Sequence, residues 1–181
     1  MMKALLSVLV LSLVVVLSAG CSTMQPPRYS IFVDNIQELK NYTDAQVQVS
    51  DINLSANFSA GCRLMGPIEP ADGLTIPMFI KKAFNDEFKM AGIYSELGNQ
   101  VSGDITHITF SSIDGLTNGN WDIGLSLKST NGTSFTVSNK YLFTSGFDAI
   151  TACNATADAL TPAVQDLINK VIKHQEFKNL L

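Results

Sequence analysis

Three stretches in the second half of the chain alternate apolar and polar residues, and short connections separate them. In Trp121–Ser129 the side chains of Trp121, Ile123, Leu125 and Leu127 point one way. Asp122, Gly124, Ser126 and Lys128 point the other. A period of two residues is the mark of a strand with one face buried. Ile105–Ile113 precedes this strand, and Phe135–Thr144 follows it with Phe135, Val137, Tyr141 and Phe143 on one face. Asn118-Gly119 and Asn131-Gly132 stand in the connections. Asn-Gly suits a type I′ turn, whose two central residues both need positive φ. The second dipeptide is the stronger hairpin signal, because the first sits in a longer loop. The pattern predicts an antiparallel meander, and every other element must cover its apolar face.

Two helical stripes supply the cover. Ile76, Phe79, Ile80, Ala83, Phe84, Phe88 and Ala91 recur at helical spacing, with Thr75 placed to cap, Pro77 in the first turn and Gly92 placed to terminate. A second stripe runs from about Ala149 to Lys173 through Ile150, Cys153, Ala157, Leu160, Val164, Leu167, Ile168 and Val171. Pro162 falls inside it and should kink or divide it, because proline lacks the N–H an interior helical position needs. A further strand is expected over Gln46–Asn57, with a bulge near Ser50-Asp51 where the alternation slips. Tyr29–Val33 reads as a short extended piece, Ser59–Leu74 as a loop, and Glu176–Leu181 as a tail that docks through Phe177, Leu180 and Leu181. The main order is β-α-β-β-β-α. The expected architecture is an α+β two-layer sandwich: a four-stranded, largely antiparallel sheet with two helices on one face. The first strand–helix–strand connection suits a right-handed crossover.

The N-terminal residues carry an address. Lys3 precedes a 14-residue apolar run, Ala4–Leu17, which ends in Leu17-Ser18-Ala19-Gly20-Cys21. Such a run is short for a bilayer span, which needs ~20 residues, and suits the core of a signal peptide. The Leu-Ser-Ala-Gly-Cys string resembles a bacterial lipobox. The resemblance implies cleavage before Cys21, a diacylglycerol thioether on its sulfur, and acylation of the new amine by a fatty acid such as palmitate. Ser22 rather than Asp follows Cys21, and in the enteric sorting scheme this implies the outer membrane, facing the periplasm. Residues 1–20 are then the leader, 21–28 a polar, proline-bearing tether, and 29–181 one domain. The mature chain would carry a net charge of −5, from 11 basic and 16 acidic side chains. It has no electrostatic reason to lie on anionic lipid.

Cys62 and Cys153 remain once Cys21 is assigned to lipid. In an oxidising envelope two such thiols pair, and free buried thiols are the alternative. The bridge would close about ninety residues, for which the chain-entropy relation gives about 4.5 kcal/mol as an upper guide. The spacing does not suit a metal site, since there is no C-x-x-C and only His107 and His174 offer imidazoles.

A lipobox followed by this order of elements resembles small auxiliary lipoproteins of the Gram-negative envelope, some of which serve transport systems. The strings CRLMGP and FIKKAFNDEF, and the hairpin Ser129-Thr130-Asn131-Gly132, are similar to those of proteobacterial lipoproteins of uncharacterised function. The resemblance implies membrane attachment through N-terminal acyl chains and an envelope protein as partner.

Candidate chemistry is sparse. No basic footprint for nucleic acid exists, and the phosphate-loop, dinucleotide and nucleophile-elbow patterns are missing. Asp34 and Asp86-Glu87 read as solvated surface, His107 as a half-exposed sheet residue and His174 as a cation at a helix end. Asn-x-Ser/Thr strings at Asn41, Asn53, Asn57, Asn131 and Asn154 read as chance. Phe79, Phe84, Phe88, Trp121, Phe135, Tyr141 and Phe143 are core residues or, in the sharper reading, the walls of an apolar groove between helix and sheet. The expectation is a non-enzymatic accessory or scaffolding subunit without cofactor, which uses an exposed sheet edge to take a partner strand. A module for lipid or another apolar ligand is the alternative, and an envelope hydrolase a third reading.

Overall fold

A computed structural model of the chain describes residues 24–115 and 117–181. The expected leader and Cys21 lie outside the described residues, so their assignment stays an expectation. The described residues form an α+β fold. Its sheet holds four strands in the order β1-β2-β3-β4: β1 is Val47–Leu54, β2 Asn99–Asp114, β3 Asn118–Ser129 and β4 Ser134–Thr144. β2, β3 and β4 form the expected antiparallel meander, while β1 lies parallel to β2. A parallel neighbour needs a crossover, and helix α1 (Val33–Leu39) precedes β1 while α2 (Ile76–Ala91) makes that crossing.

Helix α2 starts and stops as its sequence dictates. The Thr75 hydroxyl accepts a hydrogen bond from Met78 N, Pro77 sits in the first turn, and Gly92 ends the helix in a left-handed conformation at φ 83°. Its stripe is fully buried at Phe79, Ile80, Ala83, Phe84 and Phe88. The long C-terminal stripe divides as Pro162 requires: α3 spans Ala149–Asp158 and α4 spans Leu160–Ile172. The Asp148 carboxylate caps α3 by accepting from Thr151 N at 2.9 Å. The tail docks through a last turn, α5 (Phe177–Leu180), which buries Phe177 and Leu180. The helices cover the sheet face that carries Trp121, Ile123, Leu125 and Leu127. Trp121 Nε1 donates to Thr156 O of α3 at 2.9 Å, and Asn139 Nδ2 of β4 donates to Ala163 O of α4 at 2.9 Å. The other face is polar and uncovered.

Cys62 and Cys153 form a disulfide with their Cα atoms 5.9 Å apart. It ties the loop before α2 to α3. The bulge expected near Ser50 is present: the β1–β2 register shifts between Val49 and Asp51.

Four local expectations are corrected. Val33 opens a helix rather than closing an extended piece, although Phe32 gives it no side-chain cap. Helix α1 is held by tertiary contacts instead, chiefly those of Asn35, Ile36 and Leu39. Asn118-Gly119 lies inside β3, and the reversal before it uses Gly115 at φ 79°. At Asn131-Gly132 only the glycine takes positive φ, at 97°. Ser129 N bonds Thr133 O, and Gly132 N bonds Ser129 O, so a three-residue loop replaces the type I′ turn. Finally, the tether expected over 21–28 is docked from Met24 onward. Met24 is buried and bridges Ile68, Thr161 Oγ1 donates to Pro27 O, and Arg28 pairs with Asp72.

Candidate functional site

An open sheet has two edges, and each exposes a row of backbone N–H and C=O groups unless something covers it. The two edges of this sheet are treated oppositely.

Along β1 the outward backbone groups up to the bulge, those of Val47 and Val49 and the Ser50 carbonyl, are occupied. After Gly92 the chain runs beside the strand: Val47 N donates to Ile93 O, and Ser95 N donates to Val47 O. Two residues on, the Asn85 amide of α2 replaces a strand. Its Oδ1 accepts from Val49 N and its Nδ2 donates to Val49 O, both at 2.9 Å. Asn85 is a buried amide on the sheet side of α2, and this pair of hydrogen bonds is what makes its burial tolerable. At the bulge Lys81 Nζ donates to Ser50 O at 2.6 Å. Beyond it lies a shallow cleft of about 430 Å³ between β1 and α2, lined by Ile52, Leu74, Pro77 and Met78 and rimmed by Lys82 and Lys89. Lys82 already pairs with Asp86, and Lys89 lies over the Tyr94 ring.

β4 is different. Ser129 N bonds Thr133 O at one end of the β3–β4 ladder, and Ser145 N bonds Thr117 O at the other. The register between them is unbroken. Antiparallel alternation therefore gives the odd-numbered residues of β4 to β3 and turns the backbone groups of Ser134, Thr136, Ser138, Lys140, Leu142 and Thr144 outward. All six are exposed. Among the described residues no backbone or side-chain group bonds to these outward positions. The strand has no proline, no bulge and a single charge, Lys140. The inward face of β4 is fixed: Asn139 is fully buried, and its Oδ1 accepts from Lys170 Nζ of α4 at 2.6 Å. Phe135 stacks on the His174 ring with centroids 4.1 Å apart. β4 is thus pinned from behind and open at its edge.

The aromatic groove set does not surround a common cavity. Phe79, Phe84, Phe88 and Trp121 are core residues with at most 1% of their surface exposed. Phe135, Tyr141 and Phe143 are half-buried along β4. His107 is exposed on the open sheet face, with Nε2 3.9 Å from Asp122 Oδ2. Asp86 is on the surface, as expected, but Glu87 is fully buried. Its Oε1 accepts from the Tyr29 hydroxyl, from Asn35 Nδ2 at 3.2 Å and from Phe32 N at 3.4 Å, while its Oε2 has no partner. Burial pushes the Glu87 carboxyl above the usual carboxylate range against the opposing pull of those hydrogen bonds, and burial beside Glu87 also raises the Tyr29 phenol. Asn35 carries the network on, donating to Gln165 O and accepting from Asn169 Nδ2. The signal was in the sequence: eleven residues beyond Ile76, Glu87 falls on the same apolar stripe as Phe84 and Phe88.

Among the described residues no group of three His, Cys, Asp or Glu side chains is placed to hold a metal ion, and no helix is long and apolar enough to cross a membrane. The chain matches no protein-family model, and no curated protein is significantly similar to it.

Proposed function

We propose that this chain is a lipid-anchored lipoprotein of the bacterial outer membrane, facing the periplasm, and that it acts there as a non-enzymatic accessory or scaffolding subunit that binds an envelope protein by strand addition along β4. The observation that carries the reading is the open edge, six alternate residues whose backbone groups face outward on a strand pinned from behind through Asn139. Strand addition needs only backbone groups for affinity, and alternate side chains set the partner's sequence. Ser134, Thr136 and Ser138 favour small polar neighbours, and Lys140 favours a carboxylate opposite it. The Leu-Ser-Ala-Gly-Cys string supports the address.

In-cell photocrosslinking tests the reading. A photoreactive residue at position 136 should capture one envelope protein, and one at position 96, on the exposed segment that covers β1, should not. The substitution Ser138→Pro should abolish the capture while the domain stays folded. Capture that is equal from both positions, or indifferent to Ser138→Pro, contradicts strand addition.

A further inference from the structure

Five large apolar side chains stand exposed around one end of the sheet: Leu64, Ile113, Leu142, Phe147 and Ile150. The loop of Leu64 is stitched to that end at two points, by the Cys62–Cys153 disulfide to α3 and by Arg63 Nε, which donates to Ser112 Oγ at 3.1 Å. Ser145 Oγ in turn donates to Ser112 O at 2.6 Å, which places the segment leading to Phe147 and Ile150 beside the end of β2. Side chains as large as Leu64, fully exposed, and Phe147, 79% exposed, are left in water at the cost of the hydrophobic free energy that burial would recover.

The chain leaves the domain at the same end. Met24 bridges Ile68, and Ile68 N bonds Ala60 O, two residues before the disulfide. Only Ser22 and Thr23 separate Met24 from Cys21, three Cα steps with a reach of at most about 11 Å when fully extended. A chain held in the membrane at Cys21 therefore cannot hold this end far from the surface. The charges here are mixed, Arg63 and Glu69 on the loop with Asp114 and Asp148 nearby. They select no lipid charge, and the Asp148 carboxylate is already engaged as the cap of α3.

We propose that this end of the domain rests on the bilayer, with Leu64, Phe147 and Ile150 entering the boundary between headgroups and acyl chains. The inference rests on the reading of Cys21 as the anchored residue. It replaces a domain swinging on a tether with one held in a fixed orientation, the long axis of β2 rising from the membrane. β4 then stands upright with its open edge facing sideways into the periplasm.

The test uses the processed, lipid-modified chain reconstituted into vesicles of phosphatidylethanolamine and phosphatidylglycerol. An environment-sensitive fluorophore is attached through Phe147→Cys or, as the comparison, through Leu97→Cys. Leu97 is also exposed, but it precedes β2, whose 16 residues put its two ends about 50 Å apart. The probe at position 147 should shift to the blue and be quenched about twofold by lipids brominated in the upper acyl chain, the depth expected of an interfacial side chain. The probe at position 97 should do neither. Flotation of the vesicles is the parallel readout. A chain that floats while both probes stay equally wet overturns the resting orientation and leaves the anchor standing. A chain that does not float overturns the anchor and this inference with it.

Discussion

The two edges of this sheet face the same hazard and meet it in opposite ways. β1 is short, bulged and capped: the segment after Gly92 covers Val47, the Asn85 amide covers Val49, and Lys81 covers Ser50. β4 is eleven residues long, regular and uncovered. Natural sheets blunt their edges with bulges, charges and covering elements. This molecule applies three such devices to one edge and only Lys140 to the other. That contrast, between a β1 covered from Val47 to its bulge and a β4 left bare along its length, is the physical basis of the strand-addition reading.

The largest effect should come from proline along β4, because alternation decides where it is tolerated. Val137→Pro removes a donor from the β3 ladder and should cost about 3 kcal/mol or more in chemical denaturation. Ser138→Pro removes only an outward donor and should cost within about 1 kcal/mol. Equal costs at the two positions would mean that the ladder alternates the other way, or that the edge is engaged.

Next in size is the seal on β1. Asn85→Ala leaves both backbone groups of Val49 without their partner and should destabilise by about 2–3 kcal/mol. It should also make a second sticky edge, visible as concentration-dependent association in analytical ultracentrifugation. A monomer as stable as the parent would show that the amide bonds are not a seal.

Glu87, buried between α2 and α1, gives the helix layer a pH dependence of its own. Its carboxyl is raised in the folded chain by burial, so the folded state binds a proton that the unfolded state releases. Stability from this group is therefore greatest below the ordinary carboxyl range. It falls as pH rises through that range toward the folded value, and changes no further beyond it. Glu87→Gln keeps an acceptor for Tyr29 and Asn35 and should flatten the melting temperature between pH 4 and pH 8 relative to the parent. An unchanged slope would place the titration elsewhere. The smallest effect belongs to Lys81→Met, which removes a solvated lysine from a single carbonyl and should move stability by under about 1 kcal/mol.

The elements whose cause is local were readable from the sequence. Alternation set the meander, Thr75 and Gly92 set the limits of α2, Pro162 divided the last helix, and the slip after Val49 marked the bulge. Contacts between distant parts of the chain were not readable. Helix α1 has no cap and a weak stripe, and exists because Asn35 reaches Glu87 and α4. Glu87 reads as a surface acid when charge is weighed and as a core position when spacing is weighed, and the spacing prevailed. The docking of Met24 is invisible in a polar, proline-bearing segment, since its partner Ile68 lies forty-four residues away. For the candidate site, an exposed edge was expected, but not which one. The seal on β1 depends on Asn85 meeting Val49 across thirty-six residues, and no periodicity encodes that meeting.

Amide hydrogen exchange in the free domain, read residue by residue by NMR, tests the asymmetry most directly. The account predicts slow exchange at Val47 and Val49, whose outward donors are engaged. Along β4 it predicts a strict alternation, with Val137, Asn139 and Tyr141 protected and Thr136, Ser138 and Lys140 exchanging orders of magnitude faster. Uniform protection along β4, or a Val49 amide that exchanges as fast as Ser138, would contradict it.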